Sequence, residues 1–233
     1  MKDNLLILIQ SRMGSKRFPG KSMSKIDNKE LLAHLLENLL FFFDNKQIYV
    51  LTSTSSENSP IVKCCKKYNI GFRRGDEENV ASRFHSILLE KPNFNFFFRI
   101  CGDSPFFSPY LIKESLNYIK KDLTLDFVTS MPNKGNPQGQ NIELFSSKTF
   151  LKSYKSFTDR DDFEHVTSFF YENLTNFSYM LVGSKHLAFA YDRFKFSVDN
   201  LKDLAEMKKI YCKMTMKPYF YTVDDLINLK LQS

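Results

Sequence analysis

The sequence predicts an α/β fold: a mostly parallel sheet with helices on both faces. Three observations predict it. Short apolar or β-branched runs alternate with amphipathic stretches over the first half of the chain. The opening run, Leu5-Leu6-Ile7-Leu8-Ile9, is apolar throughout, as a buried strand should be. No internal repeat, low-complexity tract or linker interrupts the 233 residues, so a single domain over 1–233 is expected.

The elements follow in order. Residues 4–10 read as the first strand. Residues 29–43 carry Leu31, Leu32, Leu35, Leu36, Leu39 and Leu40 in an i, i+4 stripe, hence a helix. Residues 47–53 form a β-branched and aromatic run, a strand. Residues 60–68 are a short helix with proline in its first turn. A short strand over 71–73, a helix over 79–90, a strand over 95–100 and a helix over 109–120 continue the alternation. Strands over 126–130 and 141–145 flank a loop rich in Gly, Pro and Asn. Residues 161–173 read as one helix. A strand over 177–182 stops at Gly183. A strand over 195–198 runs into a helix over 200–214. In parallel sheets of this kind ligands bind at the carboxyl ends of the strands.

Composition narrows the function. A content of 42% hydrophobic and 25% charged residues is globular. No run approaches the ~20 apolar residues of a bilayer span, so no membrane association is expected. The apolar run at 5–9 follows Asp3 and precedes Gln10-Ser11-Arg12, so it reads as a strand and not as a signal peptide. Cys64, Cys65, Cys101 and Cys212 form no C-x-x-C pair and read as reduced thiols, which implies a cytoplasmic protein. His34, His85, His165 and His186 show no zinc spacing. The net charge of +7 fits plain solubility, a polyanionic small substrate or nucleic acid alike. The cations are spread along the chain except for one N-terminal cluster, which favours a local phosphate site and no nucleic-acid partner.

That cluster is Gln10-Ser11-Arg12-Met13-Gly14-Ser15-Lys16-Arg17-Phe18-Pro19-Gly20-Lys21, directly after the first strand. Glycines let the backbone approach a ligand, consecutive N–H groups can cradle an anion, and Arg and Lys add charge. These are the needs of a triphosphate. The loop is not a Walker A motif: five residues separate Gly14 from Gly20-Lys21-Ser22 where four are required, and Pro19 removes an N–H. A solvated basic loop is the competing reading.

Two aspartates stand just past strands, in Ile100-Cys101-Gly102-Asp103-Ser104-Pro105 and in Lys195-Phe196-Ser197-Val198-Asp199-Asn200. Converging on one sheet edge, they would hold Mg²⁺, which takes one or two carboxylates plus substrate phosphates. The competing readings are a turn residue for Asp103 and a helix N-cap for Asp199. Without a cation, two such carboxylates should repel, so removing either is expected to leave apo stability unchanged or raised.

The loop resembles the Q-A-R-M-G-S-x-R-L-P-G-K signature of SpsF-like cytidylyltransferases, which are similar to CMP-Kdo synthetases and acylneuraminate cytidylyltransferases. Further segments resemble the same family in order: residues 52–60, residues 72–84, Arg99-Ile100-Cys101-Gly102-Asp103-Ser104-Pro105, residues 137–145, Glu164-His165-Val166-Thr167 and Phe196-Ser197-Val198-Asp199. The resemblance implies a single-domain, glycosyltransferase-A-like nucleotidyltransferase fold with a mixed, mostly parallel seven-stranded sheet flanked by helices, and a homodimer. It implies that Arg12, Gly14, Ser15, Arg17 and Lys21 hold the nucleotide phosphates, that Ser11, Met13 and Asp103 also belong to the nucleotide site, and that Ala81 and Arg83 lie near the base. Asp103 and Asp199 would bind Mg²⁺, and Gln140, Glu143 and His165 would face the acceptor. Arg12, Lys21 and Asp103 would be catalytic.

The implied reaction is in-line attack by an oxygen of a small anionic sugar-like acceptor on the α-phosphorus of CTP, releasing pyrophosphate. Departures concern the acceptor: Gln138 and Asn141 replace two aspartates, Cys101 and Asn200 replace threonines. A nucleotide-sugar-dependent glycosyltransferase of similar fold would keep a metal aspartate without needing the basic loop. A non-catalytic nucleotide-binding protein is the other alternative.

Overall fold

The computed structural model describes residues 4–15, 17–131, 136–183 and 193–232. The chain runs from β1 (Leu5–Gln10) through a small hairpin, β2 (Lys25–Ile26) and β3 (Lys29–Glu30), into α1 (Leu31–Leu40). β4 (Ile48–Ser53), α2 (Ser59–Lys67), β5 (Gly71–Gly75), α3 (Val80–Glu90), β6 (Phe96–Cys101) and α4 (Tyr110–Lys121) follow. β7 (Phe127–Thr129), β8 (Glu143–Ser146), α5 (Ser147–Ser153), α6 (Arg160–His165), α7 (Ser168–Glu172) and β9 (Tyr179–Leu181) come next. Two helices, α8 (Leu201–Lys213) and α9 (Val223–Leu231), complete the chain.

Seven strands form one sheet in the order β5-β4-β1-β6-β8-β7-β9, in which β8 runs against both its neighbours and the other pairs are parallel. β1 is central and buried on both faces. Leu5, Ile7 and Ile9 enter a cluster with α1, α2 and α4, while Leu6 and Leu8 enter another with α3, α5 and α7. This two-residue alternation with apolar residues in both phases explains the unbroken hydrophobic run. The second cluster is filled by Phe97, Phe127, Phe145, Phe150 and Phe170, so much of the Phe content packs one face of the sheet. Phe106, Phe196 and Val198 meet α8 and α9 in a third cluster.

After β1 the chain adds β4 and β5 on one side, then crosses back to place β6 on the other. The reversal opens a crevice at the carboxyl ends of β1 and β6, where open α/β sheets bind ligands. Gly102 lets those ends close up: a Cβ there would lie 2.8 Å from the Ser11 Cβ, and its N–H donates to the Gln10 carbonyl at 2.8 Å. Among the described residues no helix is long and apolar enough to cross a membrane.

The structure departs from expectation in three places. Residues 195–198 form no strand; Lys195 makes a single bridge to Gln138, because the neighbouring segment is a turn and offers no ladder. The helix expected over 161–173 is two helices, broken at Val166, whose φ is 67°. β2, α5 and α9 lie outside the expected elements, and β3 takes the first two residues of the helix expected over 29–43. Lys16, residues 132–135 of the loop before β8, and His186 lie outside the described residues.

Candidate active site

The loop after β1 is tethered at both ends. The Met13 N–H donates to Asn58 Oδ1 at 2.8 Å, and the N–H groups of Ser15 and Gly20 both donate to the Met13 carbonyl, at 2.9 and 2.8 Å. Gly20 has a φ of 72°, where a side chain would be strained. So the loop curls around one carbonyl, turns at Gly20 and brings Lys21 back over the sheet edge.

There the Lys21 ammonium bridges the two aspartates, 2.5 Å from Asp103 Oδ2 and 2.8 Å from Asp199 Oδ1. Burial alone would lower its pKa, but the two carboxylates outweigh burial and hold it above the usual lysine value. Asp199 is surrounded: Lys195 lies 2.8 Å from Oδ2, Gln138 donates to Oδ2 at 3.2 Å, and Arg17 reaches Oδ1 at 3.4 Å. Burial would raise its carboxyl, yet Lys195 and Lys21 together keep it well below the ordinary carboxylate range. The Val198 N–H donates to the Asp103 carbonyl at 3.0 Å, so backbone bonding sets the two carboxylates side by side. The N-cap of α8 is Asn200, whose side chain accepts from the Asp203 N–H; Asp199 is left free of that duty.

Two hollows of 360 Å³ each open here. The first is lined by Ser11, Arg12, Ser15, Arg17, Lys21, Val80, Arg83 and Glu164 among others; the second by Arg99, Gln138, Asn141, Glu143, Ser197 and Asp199 among others. Gln10, Arg17, Cys101, Asp103 and His165 line both, so the hollows share a wall. Burial pushes the Cys101 thiol up to about 12, which keeps it protonated and unreactive at neutral pH. Another hollow, of 430 Å³, lies between α4 and the start of α9, away from both carboxylates and the basic loop.

The expected site residues fall into groups. Arg12 lines the first hollow and is fastened there, to the Glu77 carbonyl at 3.0 Å and to Glu164 at 3.2 Å. Arg83 lines it too, but it is buried and donates to the carbonyls of Asp76 and Glu77 at 2.7 and 2.8 Å. Burial lowers its pKa to about 10. It therefore holds the loop before α3 in place. Ala81 is packed in the core, and its neighbour Val80 lines the hollow instead. Met13 and Gly14 shape the loop: Met13 packs against the first core cluster, and a Cβ on Gly14 would lie 3.3 Å from Glu77.

On the acceptor side, Glu143 lines the second hollow but is heavily engaged. It pairs with Arg99 at 2.5 Å and accepts from Thr167 at 2.8 Å and Tyr171 at 2.7 Å. His165 stands exposed at the shared wall, just before the turn in which the Thr167 N–H donates to the His165 carbonyl at 2.7 Å. Gln140 corrects the expectation. Its side chain is fully buried, accepting from the Ser108 N–H at 2.9 Å and donating to the Phe106 carbonyl at 2.9 Å, and it does not line the hollow. Its neighbours Gln138 and Asn141 do. Sequence reasoning missed Lys195, Arg99 and Ser197. Lys195 and Ser197 lie within four residues of Asp199, which was their one legible signal; Arg99 had none beyond β6, which carries it.

Residues 6–230 match the family model described as cytidylyltransferase. The spore coat polysaccharide biosynthesis protein SpsF of Bacillus subtilis is 24% identical over 93% of this chain and 90% of its own length. A 3-deoxy-manno-octulosonate cytidylyltransferase of Bartonella tribocorum is 27% identical over 51% of this chain and 49% of its own. A solved cytidylyltransferase structure from Leptospira borgpetersenii superposes with a TM-score of 0.89 at 22% identity, covering 98% of this chain and 94% of that one, and so shares its fold.

Proposed function

The chain belongs to the cytidylyltransferase family, and from that premise we propose that it transfers CMP from CTP to a sugar acid or related acceptor, with release of pyrophosphate. The observation that carries this reading is the pair of hollows sharing a wall at Asp103, with a basic loop over one and a wall of polar side chains around the other. Two substrates held on either side of such a wall meet at it, which suits in-line transfer between them.

In this reading the nucleotide phosphates lie against Arg12, Ser15, Arg17 and Lys21. Lys21 leaves the carboxylates for the phosphates as CTP enters, and Arg12 stays anchored by Glu77 and Glu164, so its charge is in place before charge develops. The carboxylates also fit a divalent cation. One cation, the Lys21 ammonium, already lies within 2.8 Å of both. Among the described residues no group of three or more His, Cys, Asp or Glu side chains gathers, so an ion here would have to complete its shell with phosphate oxygens and water. Asp103 and Asp199 would hold Mg²⁺, and bound there it would supply neutralisation and polarisation of phosphoryl oxygens.

A screen of pyrophosphate release tests this reading. CTP, UTP, ATP and GTP would each be offered with 3-deoxy-manno-octulosonate, sugar phosphates and phosphonates. Release should require both CTP and an acceptor. Release of a nucleoside diphosphate from a nucleotide-sugar would favour the glycosyltransferase alternative instead.

A further inference from the structure

Among the described residues, four buried hydroxyls have no hydrogen-bond partner: Ser11, Thr52, Ser147 and Ser197. Thr52 and Ser147 line neither hollow. Ser11 lines the first hollow, and Ser197 lines the second. Leaving such a group unpaired is costly, and native proteins do it seldom. Ser197 is only 4% exposed. Its neighbours Phe196 and Val198 enter the third core cluster, while Ser197 and Asp199 line the hollow.

The run is also pinned. The Phe196 N–H donates to the Gln138 carbonyl at 2.7 Å, and the Val198 N–H to the Asp103 carbonyl at 3.0 Å. Gly139, at a φ of 90°, packs so tightly that a Cβ there would lie 2.8 Å from the Ser197 nitrogen. The backbone that carries the hydroxyl is therefore held in place beside the hollow. The same hollow presents the neutral amides of Gln138 and Asn141, while its Arg99 is spent on Glu143.

We propose that Ser197 determines acceptor specificity: its hydroxyl hydrogen-bonds a hydroxyl of a polyhydroxylated acceptor lying in the second hollow, with the reacting oxygen toward Asp103 and Asp199. This rests on the transferase reading above. A serine hydroxyl both donates and accepts, so it matches a sugar hydroxyl in either orientation. Ser197 thus supplies a contact that belongs to the bound state alone.

The test uses Ser197→Ala and Ser197→Cys, the second keeping the shape of the side chain, slightly enlarged, while weakening the hydrogen bond. Melting of the unliganded variants and steady-state pyrophosphate release with CTP and the acceptor panel would be measured. Both variants should melt no lower than wild type, keep the KM for CTP, and raise the KM for the acceptor roughly 5-fold, the scale of one hydrogen bond. A lower melting temperature would show that the hydroxyl serves the fold and overturn the proposal. So would an unchanged acceptor KM, an equal rise in both KM values, or a wild-type acceptor KM in the Cys variant. Wild-type enzyme that releases no pyrophosphate with any acceptor would overturn the transferase reading and this inference with it.

Discussion

Asp199→Asn removes a charge that three cations converge on, and the structure reverses the sign that sequence reasoning gives. Sequence alone suggests two repelling carboxylates that gain from losing one. In the structure Asp199 is 7% exposed and contacts Lys21, Lys195 and Arg17. The cost is bounded by what each cation keeps. Lys21 retains Asp103 at 2.5 Å, and Lys195 retains Asp203 at 2.6 Å. Arg17 is 77% exposed, so its share is screened by water. The loss is therefore well short of the ~3–5 kcal/mol of an orphaned buried charge, and about 1–2 kcal/mol is expected from weakened charge-assisted hydrogen bonds. For a chain of this size that is a fall in melting temperature of about 2–8 °C. The effect should depend on pH in one direction. A depressed carboxyl pKa contributes stability that is complete above the unfolded value of ~3.9 and is lost as pH falls through the folded value. The gap between wild type and variant, read by calorimetry from neutral pH downward, should stay constant to about pH 5 and narrow below pH 4. An equal or higher melting temperature for the variant at neutral pH would refute the reasoning, as would a gap that does not change in acid.

Two further substitutions separate function from fold. Lys21→Ala should cut turnover by roughly 10²-fold. It also leaves Asp103 and Asp199 facing each other, so Mg²⁺ alone should raise the melting temperature of the variant more than that of wild type; no gain from Mg²⁺ would count against a shared cation site. Gln140→Ala should cost about 2–4 kcal/mol of stability, because it orphans the Ser108 N–H and the Phe106 carbonyl. The acceptor KM of the folded fraction should stay unchanged, and a selective rise in it would return Gln140 to the acceptor hollow.

Much of the fold was legible because its signals are local. β1, β4 and β6 announce themselves as apolar runs, and the Leu stripe of α1 needs no tertiary context. What was not legible was set by contacts distant in sequence. The helix over 161–173 breaks at Val166, a β-branched residue that gives no local warning, where Thr167 turns in to bond Glu143 from β8. Residues 195–198 look like a strand, but their partner is the turn at Gln138 and Gly139, which pairs through one bridge only. α9 did carry a signal: Thr222 and Asp225 form a capping box ahead of Leu226 and Ile227. At the site, the basic loop and Asp103 were readable because each follows a strand at the active edge, whereas Asp199 follows a segment that only looks like a strand. The fate of Gln140 was not readable. Whether an amide just after Gly139 faces ligand or backbone depends on Phe106 and Ser108, more than 30 residues away.

The most direct test of the account follows the phosphorus atoms of CTP. The enzyme would be given CTP labelled at either the α- or the γ-phosphorus, with Mg²⁺ and an acceptor active in the pyrophosphate screen, and the products separated. The account predicts that the α label moves into a CMP-linked acceptor and the γ label into pyrophosphate. A γ label on the acceptor, or an α label that never leaves free nucleotide, would contradict it.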